Sequence, residues 1–187
     1  MDERPQSLED VEATLWREMI TAARYRDHPW RTATLATTDG TSADARLVVL
    51  RDVDEVQRHI TFYSDSRAGK LAHISAHPAA TLVMWSPSLG WQLRARVTLS
   101  VETGGLAVAS RWAQLKLSPA AYDYLSPLPP GMPIEGTAPR TIQPDRESLG
   151  HFAVVTAAVD ALDWLELGAE GQRRAQFDSS GRRWLQP

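Results

Sequence analysis

Trp91-Gln92-Leu93-Arg94-Ala95-Arg96-Val97-Thr98-Leu99-Ser100-Val101-Glu102 is the stretch that decides how the chain folds. Apolar residues stand at 91, 93, 95, 97, 99 and 101, and polar ones at 92, 94, 96, 98 and 100. Side chains alternate between the two faces of a strand, so this pattern predicts a long β-strand with one face in a core and the other polar. Upstream, Ala80 to Trp85 reads as another strand, and a short helix over Gly69 to His77 is stopped by Pro78. His59 to Ser64 is a further strand. Thr32 to Thr38 and Asp44 to Asp52 form a hairpin about Asp39-Gly40, because a Gly-containing polar turn between β-branched runs suits tight strand reversal. The chain begins helically: Ser7-Leu8-Glu9-Asp10 has the form of a capping box, and Leu8, Val11, Leu15, Trp16, Met19 and Ala23 make one apolar stripe running to about Arg26. Downstream, Gly104-Gly105 ends the long strand, and helical patterns cover Leu106 to Leu115 and Pro119 to Tyr124. Residues 126–144 then hold six prolines and two glycines, a Pro-rich loop too long to be a mere connector. Phe152 to Ala161, Leu162 to Leu167, Arg173 to Asp178 and Trp184 to Gln186 read as short strands. Closely spaced strands with mainly antiparallel turns predict an α+β, mainly β architecture, a closed or partly closed barrel with a few added helices.

The 187 residues carry 20 Lys+Arg against 23 Asp+Glu, a formal net charge of −3, and 43% of them are hydrophobic. That is ordinary globular usage, so one domain over 1–187 is expected, with an N-terminal helix in 1–28 and the Pro-rich loop in 126–145. There is no cysteine, which excludes disulfides, zinc fingers, iron–sulfur clusters and thiol nucleophiles. No apolar run approaches the roughly 18 residues of a membrane span, and the polar start Met1-Asp2-Glu3-Arg4-Pro5 lacks an apolar signal core. A cytoplasmic protein is expected. The arginine pairs Arg173-Arg174 and Arg182-Arg183 are scattered over strands of an acidic chain, so nucleic-acid binding is not expected.

Gly69-Lys70 looks like the end of a phosphate loop, but the glycine required earlier in that motif is absent. There is no G-x-S-x-G or G-x-G-x-x-G either. His73 and His77 have the spacing of a two-histidine metal site, yet Ile74-Ser75-Ala76 between them adds no carboxylate, so they read as a helix face and no metal is predicted. The cations are more telling. Arg46-Leu47-Val48-Val49-Leu50-Arg51 puts two arginines on an otherwise apolar strand, where charge needs a partner. They could mark the strand ends and pair with Asp44 and Asp52. The next strand, however, runs Phe62-Tyr63-Ser64-Asp65-Ser66-Arg67-Ala68-Gly69-Lys70 into a helix start, gathering hydroxyls, unpaired backbone N–H groups and two cations where a phosphate would bind. Gln92 lies on the polar face of the long strand, and its amide suits the edge of a heterocycle, although a solvated sheet face would also explain it.

Taken in order, these residues resemble the pyridoxamine 5′-phosphate oxidase family of FMN-binding split β-barrels. Arg46 to Arg51 looks like the family's R-x-V-x-L-[RK] strand, and Phe62-Tyr63-Ser64-Asp65 with Lys70 looks like F-Y-[ST]-[ND] followed by a lysine. Gln92 stands at the family's spacing after that lysine. Trp164 and the closing Trp184-Leu185-Gln186-Pro187 resemble the C-terminal elements. The resemblance covers the chain from about residue 30 onward. It implies FMN as cofactor, held in clefts at the interface of a homodimer. Arg46, Ser64 and Lys70 would hold the phosphate, helped by Arg51 or Arg67. Val48, Tyr63 and Gln92 would line the flavin, with Trp164 and Gln176 at family cofactor positions near the C-terminus.

The departures set the functional expectation. Where the family carries R-L-H-D-R before an aromatic, this chain has Gln172-Arg173-Arg174-Ala175-Gln176, so Gln176 replaces an arginine that serves FMN. In the middle motif only Ser118 matches, and Gln114 stands where the family's arginine would be. Ser118 and Arg174 remain as substrate-site candidates. The expectation is an FMN-dependent oxidoreductase acting on a small molecule other than the vitamin B6 phosphates, without a designated catalytic residue. The alternative is an FMN-binding or sensing protein without turnover.

Overall fold

The computed structural model describes residues 4–134, 148–168 and 171–187. Part of the expected Pro-rich loop, residues 135–145, lies outside the described residues. The first helix, α1, is Leu8–Arg24. Ser7 caps it by accepting from the Asp10 N–H at 3.1 Å, and Asp10 reaches back to the Ser7 N–H, so two otherwise orphaned donors are satisfied. Its last carbonyls are met from outside: Arg31 Nη1 donates to the Ala22 carbonyl at 3.2 Å and to that of Ala23. Val11, Leu15, Trp16, Met19 and Ala22 are buried along one stripe, which is the face the periodicity predicts.

The strands are β1 Thr32–Thr38, β2 Ala43–Asp54, β3 His59–Asp65, β4 Ala79–Ser86, β5 Trp91–Glu102, β6 Phe152–Gly168, β7 Gly171–Asp178 and β8 Gly181–Leu185. They form one antiparallel sheet in the order β3-β2-β1-β4-β5-β6-β7-β8, and β3 also pairs with β6. That extra pairing closes six strands into a barrel, and β7 and β8 extend from β6 as a flap. Closure leaves β2 and β3 without free edges. The fold expected from the sequence, a mainly β split barrel with an N-terminal helix and short peripheral helices, is the one observed.

Two short connections matter for the site. The β1–β2 turn is held by Asp39, whose Oδ1 accepts from the Thr41 and Ser42 N–H groups at 2.8 and 2.7 Å. Gly40 has φ +93°, a conformation that favours glycine, and a Cβ there would also come 2.8 Å from the exposed His77 Nε2, which would have to move aside. The second helix, α2, is Gly69–Ala76, and the third, α3, is Leu106–Leu115. Pro119–Tyr124 is a 3₁₀ helix.

One expectation needs correction. Phe152 to Ala161 and Leu162 to Leu167 are a single strand of 17 residues, not two. The inward alternation breaks between Ala161 and Leu162 because a β-bulge lies opposite Arg96 and Val97, which pair with Ala161 and Val159. A bulge inserts one residue, so a change of parity imitates a strand end in the sequence. The main core fills the barrel and the space under α1, with Leu35, Leu50, Phe62, Leu82, Leu93 and Trp164 among its fully buried residues. A second cluster, Val108, Trp112, Leu115, Ala121, Tyr124, Phe152 and Val154, sits under α3 and the second 3₁₀ helix.

Candidate cofactor site

Arg46 and Lys70 meet at one corner of the barrel. Strand alternation turns Arg46, Val48 and Leu50 to the same face; the latter two enter the core, and Arg46 is left half-buried near the strand's start. Its Nη1 donates to Thr37 Oγ1 at 2.7 Å and to the Leu35 carbonyl at 3.3 Å, and its Nη2 pairs with Asp44. Lys70 lies in the first turn of α2. Burial lowers its pKa, and the positive charge of Arg46 lowers it further against the opposing pull of Asp65. Lys70 makes no hydrogen bond or ion pair among the described residues. The helix start beside it has Ala68 as its cap residue, with no side-chain cap bond, so backbone donors of that turn are free for another acceptor. Two neighbouring cations and an uncapped helix start make a place that gains from an anion.

The residues between the two cations are committed to structure. Ser64 is buried and its Oγ donates to the Asp65 carbonyl at 3.0 Å. Asp65, also buried, is held by Arg67: Oδ1 accepts from the Arg67 N–H at 2.8 Å and from Nε at 3.0 Å, and Oδ2 from Nη2 at 2.7 Å. Arg67 also donates to the carbonyls of Ser126, Pro127 and Leu128. Its donors are spent on bracing the start of the Pro-rich stretch against the barrel.

Arg51 faces away from Arg46. Its guanidinium lies 5.5 Å from the Tyr63 ring centroid, and its buried Nε has no partner. Arg111 of α3 approaches the same spot, bonding Asp52 at 3.0 Å and interacting with Tyr63. Tyr124 closes it from the 3₁₀ helix, its phenol pKa raised chiefly by burial. This second group of two arginines and two tyrosines lies on the outer side of β2 and β3, over the second core cluster.

The remaining candidates follow the sheet toward its flap. Gln92 is half-buried on the outer face of β5, opposite Leu165 of β6, which is itself opposite Arg174 of β7. Arg174 binds Asp163 through Nε at 3.1 Å and Nη2 at 2.8 Å, and Arg94 shares that carboxylate. Gln176 stands opposite Arg183 of β8 and accepts from its Nε at 3.3 Å. Trp164 is fully buried inside, edge-on to Trp91 at 5.2 Å, and Val48 is in the core. Ser118 donates to the Leu115 carbonyl at 2.9 Å, finishing α3. β2 and β5 are separated by β1 and β4, and through Leu35 and Leu82 Arg46 lines up with Ala95, so Gln92 lies beyond two intervening strands and further along β5.

Sequence reasoning missed Thr37, Arg111 and Asp163, and it considered His73 only as a metal ligand. Thr37 had a signal: it is polar at an inward position of an alternating strand. The others carry none, because each acts from an element distant in sequence.

Residues 13–103 match the family described as pyridoxamine 5′-phosphate oxidase, FMN-binding domain. A pyridoxine/pyridoxamine 5′-phosphate oxidase of Caulobacter vibrioides is 32% identical over 117 residues, 61% of this chain and 51% of that protein. The chain thus aligns with about half the length of the curated relatives it matches. A pyridoxamine 5′-phosphate oxidase-related, FMN-binding protein of Nostoc punctiforme superposes with a TM-score of 0.70 at 20% identity, over 99% of this chain and 100% of that one. PhzG from Burkholderia lata 383, solved in complex with tetrahydrophenazine-1-carboxylic acid, superposes with a TM-score of 0.74 at 15% identity, over 100% of this chain and 99% of that one. Over residues 13–103 the chain is thus similar to the FMN-binding domain of the pyridoxamine 5′-phosphate oxidase family, and over its whole length it shares the split-barrel fold of these structures.

Proposed function

We propose that this chain binds FMN and works as an FMN-dependent oxidoreductase on a small molecule. The observation that carries the reading is Lys70, half-buried, beside Arg46 and without an anionic partner, at a helix start that no side chain caps. A phosphate monoester would supply the missing charge, and bonds from charged donors to phosphate are the strong ones. Arg46, Lys70 and the first turn of α2 would hold the phosphate, with Ser64 behind them. Gln92 and Gln176 would face the ring system, and Trp164 and Val48 would support it from within the core. Bound flavin would supply the redox chemistry, and the protein its orientation and electrostatics.

The distance across the sheet between Arg46 and Gln92 favours a site completed by a second copy of the chain. Leu47 and Trp85, 69% and 44% exposed, give the outer side of β2 and β4 an apolar surface for a homodimer. The other cationic group, Arg51 and Arg111 between Tyr63 and Tyr124, suits an anionic substrate, with Ser118 and Arg174 as the remaining substrate candidates. Loss of the family's arginine at Gln114 and of its histidine at Arg174 argues against vitamin B6 phosphates as that substrate. A cysteine-free chain suits the cytoplasm. No helix among the described residues is long and apolar enough to cross a membrane.

A second reading, flavin binding without turnover, is favoured by one feature: the buried carboxylates Asp65 and Glu166 are tied into ion pairs, leaving neither free as an acid or base. The first experiment is the absorbance spectrum of the purified protein with release and identification of any flavin, followed by addition of NADH or NADPH and of oxygen. FMN that is reduced and reoxidised on a catalytic timescale supports the oxidoreductase. FMN that binds and stays inert supports the sensor, and failure to take up added FMN overturns both. Light scattering that reports a monomer would overturn the shared site.

A further inference from the structure

Thr37 occupies an inward position of β1, where the neighbouring inward residues Ala33 and Leu35 are apolar and fully buried. It is itself only 3% exposed. A hydroxyl placed there must find partners, since an unmet polar group in a core is costly. It finds two. Its Oγ1 accepts from Arg46 Nη1 at 2.7 Å, and it lies 3.2 Å from Nδ1 of His73. A hydroxyl has one proton and two lone pairs, so it can accept from the guanidinium and still engage the imidazole. His73 follows Lys70 by three residues and therefore shares its side of α2. The chain Arg46–Thr37–His73 thus joins β2, β1 and α2, the elements that carry Arg46 and Lys70.

Arg46 needs such a brace. It is long and flexible, and the charge of Lys70 repels it, so an unheld guanidinium would swing toward solvent and away from the lysine. Asp44 also holds it, but that side chain is 58% exposed and competes with water. The buried hydroxyl is the firmer support. We propose that Thr37 and His73 are positioning residues, which fix the Arg46 guanidinium beside Lys70 and so preorganise the corner for a phosphate monoester. The inference rests on the phosphate reading of the corner. Neither residue touches the ligand; both reduce the ordering that binding would otherwise require.

The test compares FMN with riboflavin, which has the same ring system and no phosphate. Affinities are measured by flavin fluorescence for the wild type, Thr37→Val, Thr37→Ser and His73→Leu. Thr37→Val keeps the shape and removes the hydroxyl, and should weaken FMN by about tenfold, the order expected for a hydrogen bond to a charged group. Thr37→Ser should restore binding to within about twofold, because it keeps that bond. His73→Leu should weaken FMN by about threefold, the order of one neutral hydrogen bond. Riboflavin affinity should be the same in all four proteins.

Wild-type FMN affinity in both Thr37→Val and His73→Leu overturns the inference, and so does an equal loss for FMN and riboflavin, which would mean general damage. If Thr37→Val fails to fold, the half-buried His73 decides through its own variant. If the wild type binds neither flavin, the flavin reading fails. The inference is then judged by inorganic phosphate: it survives if phosphate raises the melting temperature of the wild type more than that of His73→Leu, and it is overturned if the two respond alike.

Discussion

Arginines crowd two regions of this molecule to opposite effect. Among the described residues at the corner formed by β2 and α2, Arg46 has only the exposed carboxylate of Asp44 as an ion-pair partner, and Lys70 has none. On β6 the buried Glu166 and the half-buried Asp163 are each enclosed by cations. Glu166 receives Arg173 Nε at 2.6 Å, Arg4 Nη2 at 2.7 Å and Trp91 Nε1 at 3.2 Å. Burial alone would raise its pKa, but these donors outweigh burial and hold it at about 2. Asp163 is gripped by Arg174 and Arg94 in the same way, and its pKa is lowered against burial. Arg173 further donates to the Pro5 carbonyl at 2.9 Å, and its guanidinium lies 5.3 Å from the Trp164 ring centroid, so the flap is also what fastens the N-terminal segment. Saturated charge braces a fold, whereas charge left without a partner is available to a ligand.

Substitutions should separate the two. The largest effect is expected from Lys70→Ala and Arg46→Ala, each weakening FMN by about 10- to 100-fold through loss of a charge-assisted bond. Their riboflavin affinity and urea midpoint should stay near wild type, and fluorescence titration with urea melts checks both. Glu166→Gln should do the reverse. It removes the negative charge that Arg4 and Arg173 share, and should cost about 1–3 kcal/mol in urea unfolding while FMN affinity per folded molecule holds. An equal loss of FMN affinity in Glu166→Gln and Lys70→Ala would collapse the distinction between brace and site.

Acid sharpens the same contrast. The pKa of Glu166 is depressed in the folded state, from 4.5 to about 2, so its stabilisation is complete above pH 4.5 and is lost as pH falls from there toward 2. The wild type should lose stability across that window by circular dichroism melts, and Glu166→Gln should lose less. The smallest effect is expected from Arg174→Ala. Arg94 still holds Asp163, and a partly exposed pair contributes about 1 kcal/mol or less, so the urea midpoint should barely move. A drop as large as that of Glu166→Gln would show that the flap depends on one pair and not on a network.

The barrel was legible from residues 91–102 and the hairpin about Gly40 because alternation and turn chemistry are local properties. The same local pattern misled at Ala161-Leu162, where a bulge changed parity without ending the strand. Arg46 and Lys70 stood out as charges in the wrong surroundings, and the structure brings them together. Arg67 stood out for the same reason, yet its donors are taken by Asp65 and three carbonyls 59 to 61 residues away. Such commitment is invisible in sequence.

The sequence by itself determined the strand pattern, the capped N-terminal helix and the residue types of the cationic corner, since each depends on neighbours a few positions apart. Only the tertiary structure decided which cations are spent and which are spare. That depends on partners such as Glu166 for Arg4 and Thr37 for Arg46, which chain reversals bring within hydrogen-bonding distance and which no local pattern encodes.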